Sequence, residues 1–278
     1  MNVRQMKQMQ TEYVQMLHRN YKSPQTIKKY CRDINRFFAF LQPCETITRE
    51  SVKQYAAFLK TRYCAETCNS YLISIHSFFR YAGKTEWIVP LFQIQRRNFL
   101  ENELGISDYF KMLHALDKTG RWETKLLLHT LGCTGIRVSE LSFITREAAE
   151  RGWVEVQMKR KVRRIFLPNK LREELISFSD GRSGIIFRNR AGTKAINSSV
   201  VWRRLKAAAR LAEVDERKVY PHNLRHMFAR VYMEAYGNIA ELADLLGHSS
   251  LETTRIYTRN SSKELLRKVS ALEMFIGS

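Results

Sequence analysis

Several things are missing from this sequence of 278 residues. No stretch approaches the roughly 20 consecutive apolar residues that a membrane-spanning helix needs. The opening MNVRQMKQMQ is polar where a secretion signal would carry an apolar core. Both absences point to an intracellular, cytoplasmic protein. Cysteine is sparse: Cys31, Cys44, Cys64, Cys68 and Cys133 form an odd set with no CxxC pair, which argues against a disulfide framework or a zinc site. Cys64 and Cys68 are four apart, but no convincing His or Cys partners follow. Neither a P-loop nor a metal-ligand cluster is present, so no nucleotide or metal cofactor is implied. Internal repeats and low-complexity tracts are also missing. The shortage with the largest consequence is of acidic residues. Asp and Glu total 27 against 47 Lys and Arg, a formal charge of +20, which is far more than solubility requires and calls for a polyanionic partner. Residues 1–95 hold 14 basic and six acidic side chains, a net +8, and residues 96–278 carry +12. Both halves are suited to touch the same nucleic acid.

A hydrophobic content of 44% with 11% aromatics is enough to build real cores, and the length suits two modest domains. In SPQTIKKYCRDINRFFAFL, Ser23 stands at an N-cap and Pro24 at the first helical position. Ile27, Tyr30, Cys31, Ile34, Phe37, Phe38 and Leu41 then recur at helical spacing. Further helices are expected over about residues 3 to 19, from Thr48, and around Tyr71 to Phe79. Residues 1–95 therefore read as a small all-α domain. Residues 96–103, in a stretch without periodicity, read as a linker, and residues 104–278 as the second domain. There a helix is expected after Ser107. The segments WVEVQM and KVRRIFLP suggest a β-hairpin, Ile185 to Phe187 a short strand, and everything from Asn197 onward helices. The expected fold is mainly α with a small β-sheet in the second domain.

Four segments carry the chemistry, and each alone has a bland explanation. TGIRVSEL sets Arg137 and Glu140 three apart, as in an ordinary ion pair. PHNLRH sets His222 and Arg225 on one helical face. LGHSS puts His248 just past a glycine that reads as a helix C-cap. LETTRIYTR contains Tyr257. Together they form a complete set for attack on a phosphodiester. Arg137 and Arg225 can grip the non-bridging oxygens and stabilise charge growing in the transition state. His222 and His248 can donate to the same phosphate and move protons near neutral pH. The Tyr257 hydroxyl, with a pKa of about 10 in water, becomes a usable nucleophile where positive charge lowers that value.

At these residues the chain resembles the tyrosine recombinases, or phage-type integrases, with Xer-like proteins nearest in size. TGIRVSEL looks like the family's first arginine box, PHNLRH like its HxxR box, and LGHSSLETTRIYTR like its closing segment. SPQTIKKYCRDINRFFAFL looks like part of its helical core-binding domain. The resemblance implies a two-domain DNA clamp, with a helical core-binding domain and a mixed α/β catalytic domain. It implies Tyr257 as nucleophile, Arg137, His222, Arg225 and His248 as phosphate-binding and proton-handling residues, and Glu140 as support for the arginine box. It also implies a hairpin lysine as general acid. Many relatives read GKG at that turn, where this chain reads QMKRKVRR. Counting from Gly152 selects Lys159 and leaves Lys161 open. The implied activity is site-specific recombination through a 3′-phosphotyrosyl intermediate and a Holliday junction, at short core sites. The implied assembly is a homo-tetramer on two DNA duplexes, or one shared with a related recombinase, with a C-terminal docking helix. The alternatives are a catalytically silent DNA-binding regulator and a type IB topoisomerase-like activity.

Overall fold

A computed structural model describes residues 3–41, 46–94, 103–158 and 161–247. Lys159, His248, Tyr257, most of the expected linker and the expected C-terminal docking helix lie outside these residues. The chain divides into two compact units, Met1–Arg97 and Asn98–Ser278.

The first unit is helical: α1 (Val3–Arg19), α2 (Pro24–Phe40), α3 (Arg49–Lys60) and α4 (Ala65–Tyr81), followed by a 3-10 turn at Thr85–Trp87. Local chemistry sets the starts. The Ser23 hydroxyl accepts from the Thr26 N–H at 3.2 Å, and Thr48 and Ser51 exchange bonds in a capping box. The apolar stripe of α2 is buried and meets α3 and α4 through aromatic edges. Phe37 lies 5.1 Å from Tyr55 and 5.9 Å from Phe79, centroid to centroid. One acid interrupts this core. Asp33 is buried but paired, accepting from Lys29 Nζ at 2.7 Å and from the Ser74 hydroxyl at 2.8 Å. On the outer side of α2, Lys28, Arg32 and Arg36 line an open depression floored by Ile27, Cys31 and Ala39.

The second unit comprises α5 (Ile106–Lys118), α6 (Trp122–Thr134), a 3-10 turn at Val138–Phe143, α7 (Arg146–Arg151), β1 (Trp153–Met158), β2 (Lys161–Phe166), α8 (Asn169–Ser179), α9 (Ser198–Leu211), α10 (Pro221–Tyr236) and α11 (Ile239–Leu246). Among the described residues the sheet is the two-stranded antiparallel hairpin β1–β2, which pairs Val154 with Ile165 and Val156 with Arg163. Leu126, Leu127, Leu128 and Leu131 of α6 are all buried. Helix α6 is thus apolar on several sides, as suits a central helix packed by α5, α8, α9 and α10.

Two expectations shift. The helix expected after Ser107 begins at Ile106, because buried Leu104 anchors the preceding chain and Gly105 takes the cap position without a side-chain bond. Ile185 to Phe187 forms no strand. The segment makes isolated bridges, Thr145 with Ile185 and Arg188 with Ala195, since left-handed turns at Gly184 and Gly192 leave too little extended chain to continue a ladder. Among the described residues, no helix is long and apolar enough to cross a membrane.

Candidate active site

The site grows from the end of α6. Gly135 closes that helix with φ 59°, a left-handed conformation natural to glycine. Two residues later comes Arg137, at the start of the 3-10 turn that carries Glu140. The Arg137 backbone N–H donates to Glu140 Oε2 at 2.8 Å, and Arg137 Nη1 donates to Oε1 at 3.0 Å. This is the pairing that the spacing suggests. Glu140 is fully buried, whereas the Arg137 side chain remains 37% exposed and can meet an anion from solution.

Helix α10 delivers the second set. Pro221 starts it, and Arg225 lies one turn in, 2% exposed. Arg225 Nη1 donates to the Gly135 carbonyl at 2.6 Å, and Nη2 donates to the Leu246 carbonyl at 2.5 Å. One guanidinium thus ties together the C-terminal ends of α6 and α11, whose last carbonyls would otherwise lack helical partners. His222 sits at the outer edge with its ring against buried His226, 4.2 Å between centroids and nearly edge-to-face. Desolvation of the ring, together with the charges of Arg225 and Arg137, holds the His222 imidazole below the ordinary histidine range. The neutral form, able to accept a proton, is favoured there until an anion offsets the two arginines.

A third guanidinium completes the arrangement, and it was not among the residues singled out from the sequence. Arg163 on β2 donates from Nη2 to Glu140 Oε2 at 2.5 Å and from Nη1 to the Leu245 carbonyl. The signal for it was present in KVRRIF: Arg163 shares the inward face of β2 with Ile165, and a charge at an inward strand position requires a buried partner.

Arg137, Glu140, His222 and Arg225 are therefore brought together, from segments about 85 residues apart in the chain. Lys161 opens β2 opposite Met158. Lys159, His248 and Tyr257 belong to segments outside the described residues. Among the described residues, no group of three or more His, Cys, Asp or Glu could hold a metal ion. A second basic feature lies elsewhere on the unit, where Arg188, Arg190, Lys194 and Arg203 line a cavity of about 870 Å³ with Glu123 and Arg204 paired at its wall.

The glycine at the junction makes a sharp prediction. A Cβ on Gly135 would lie 2.6 Å from Phe228 Cδ1 and 3.1 Å from Leu246 Cδ2, on top of the unfavourable φ. Gly135→Ala is expected to destabilise the second unit by about 2 kcal/mol or more and to displace Arg225, because the Gly135 carbonyl that accepts from it must move. Thermal melting of the variant beside the unmutated protein checks the effect.

The sequence model of the phage integrase family matches residues 104–264, and that of the phage integrase N-terminal SAM-like domain matches residues 11–86. The tyrosine recombinase XerA of Pyrococcus furiosus is 28% identical over 279 residues, covering 96% of this chain and 95% of its own. Among solved structures, the Tn1549 transposon integrase in complex with circular intermediate DNA superposes with a TM-score of 0.75 at 17% identity, covering 98% of this chain and 100% of its own. A lambda integrase tetramer bound to a Holliday junction does so with a TM-score of 0.72 at 18% identity, covering 94% and 80%. These two likenesses establish a shared fold.

Proposed function

This chain belongs to the phage integrase family of tyrosine recombinases, and from that premise we propose that it cuts and rejoins DNA at short core sites with Tyr257 as nucleophile. The observation that carries the reading is the convergence of Arg137, Arg225 and His222 at the joined ends of α6, α10 and α11. Arg137 and Arg225 neutralise the scissile phosphate as charge accumulates on its non-bridging oxygens. Glu140, buried beneath Arg137, fixes the guanidinium so that little reorganisation is needed when the phosphate arrives. His222 and His248 hydrogen-bond the phosphate and handle protons. The Tyr257 oxygen attacks phosphorus, a P–O bond to the tyrosine forms, and the bond to the 5′-oxygen breaks. Lys159, or Lys161 on the same hairpin, gives that oxygen its proton. Attack by a 5′-hydroxyl from the partner duplex reverses the step and joins new strands through a Holliday junction. The phosphotyrosine conserves the bond energy, so no nucleotide or metal enters.

The helical unit serves as the core-binding domain, residues 96–103 as the linker of a DNA clamp, and residues 104–278 as the catalytic domain. The basic depression on α2 and the Arg188–Arg203 cavity supply backbone contacts of the salt-dependent kind. The protein acts in the cytoplasm as a tetramer on two duplexes, as lambda integrase does on a Holliday junction.

Incubation with a nicked suicide duplex followed by denaturing electrophoresis tests the activity. A covalent adduct is expected, and a native gel shift without adduct would instead make the protein a silent DNA-binding regulator. Assembly has its own test. Leu265, Leu266, Val269, Leu272 and Phe275 fall near one helical face, so deleting residues 262–278 should spare monomeric DNA binding while impairing cooperative assembly and complete strand exchange. Circular dichroism of the truncated protein decides the matter: an unfolded product means that the segment belongs to its own domain's core.

A further inference from the structure

Arg163 has no part in the chemistry assigned above, yet three elements meet through it. From β2 its Nη2 donates to Glu140 and its Nη1 to the Leu245 carbonyl in the last turn of α11, with its side chain only 11% exposed. Burial presses its guanidinium below the ordinary arginine range, and the Glu140 carboxylate opposes that shift. The charge is thus held in an unfavourable place by particular partners. The neighbouring backbone is shaped around it. Gly247 has φ 62°, and a Cβ there would run into Cδ and Nε of Arg163.

The consequence for catalysis follows from how the carboxylate is shared. Oε1 of Glu140 takes Arg137 Nη1, while Oε2 takes both the Arg137 N–H and Arg163 Nη2. Without Arg163, Oε2 keeps one neutral donor, and the carboxylate can rotate and carry the Arg137 guanidinium with it. The end of α11 would lose one of its two guanidinium ties at the same moment. We propose that Arg163 is a positioning residue for strand cleavage, fixing the orientation of Arg137 through Glu140 while locking the end of α11 to the hairpin. The proposal rests on the recombinase reading of this site. A lysine cannot replace it, because one ammonium on a flexible stem does not reproduce a planar fork spanning two acceptors.

The test is single-turnover cleavage of the suicide duplex at saturating protein, with duplex affinity measured in parallel. Arg163→Ala is expected to slow cleavage about 100-fold, the scale of loss for a misplaced catalytic group, with affinity kept within about threefold. Added guanidinium ion should restore part of the rate, which a general loss of stability would not allow. Arg163→Lys should fall between the two. In a Glu140→Gln background, Arg163→Ala should cost little more, since both changes break one connection. Cleavage by a folded Arg163→Lys or Arg163→Ala protein at the unmutated rate overturns the proposal, as does a loss that tracks affinity and ignores guanidinium. Should Arg163→Ala not fold, the lysine variant, which keeps the charge, decides alone. Absence of any adduct from the unmutated chain would strike the recombinase reading itself. Normal adduct from that chain beside full-rate variants would strike only the role of Arg163.

Discussion

Tyr257→Phe is expected to abolish the covalent protein–DNA adduct, lowering cleavage on the order of 10⁴-fold or more because the covalent route is lost with its nucleophile. DNA affinity should change little, since one hydroxyl leaves and no positive charge does. The other tyrosines near the site in sequence are poor substitutes. Burial and the neighbouring Glu241 carboxylate push the Tyr232 phenol up to about 12, so its oxygen is harder to ionise than in water. The ring of Tyr220 is stacked on Trp202 at 5.9 Å. An adduct that persists in the Phe variant would place the nucleophile elsewhere and overturn the assignment. Peptide mapping of that adduct would then identify the residue.

The second large effect separates two arginines to which the proposal gives the same electrostatic work in different settings. Arg137→Ala should remove about 3 to 4 kcal/mol of transition-state stabilisation, the typical loss for one preorganised donor. It should leave thermal stability nearly intact, because Glu140 keeps Arg163 as a partner and the Arg137 N–H survives the substitution. Arg225→Ala should lose at least as much activity and destabilise the fold as well. Its removal strands the Gly135 and Leu246 carbonyls in the interior, at about 1 to 3 kcal/mol each. In a unit of this size that lowers Tm by roughly 5 to 15 °C. Calorimetry beside single-turnover cleavage distinguishes the two variants. Equal melting temperatures would show that the Arg225 bonds contribute nothing to the fold, and equal losses of binding and cleavage would reduce both residues to ordinary backbone contacts.

Where the sequence could be read, the signals were local. Ser23 with Pro24, and Thr48, mark helix starts because capping is decided within one turn, and both begin helices where expected. The pairing of Arg137 with Glu140 was legible for the same reason, being a contact across three residues. The hairpin followed from alternation. What stayed hidden depends on partners far along the chain. Arg163 lies 23 residues from Glu140 and 82 from Leu245, and both acceptors of Arg225 are backbone carbonyls, which any residue type supplies. A guanidinium bound to main-chain oxygen leaves no mark in the text of a sequence. The Ile185–Phe187 segment misled for a related reason: its β-forming residues pair only as single bridges, fixed by turns on either side.

The paired carbonyls at the end of α11 have a consequence for the reach of Tyr257, the proposed nucleophile. Leu245 is held by Arg163 and Leu246 by Arg225, so the chain beyond Gly247 starts from a fixed point. Tyr257 follows ten residues later, and ten residues fully extended span at most about 33 to 36 Å. The phenol is therefore leashed to a sphere of that radius centred beside Arg137 and Arg225, where short tethers give effective concentrations in the millimolar range. Lengthening the leash with glycines and serines inserted between His248 and Tyr257 would dilute the proposed nucleophile while His248 and the bonded guanidiniums of Arg137 and Arg225 keep their places. The cleavage rate as a function of insert length would then read out how tightly the leash is drawn.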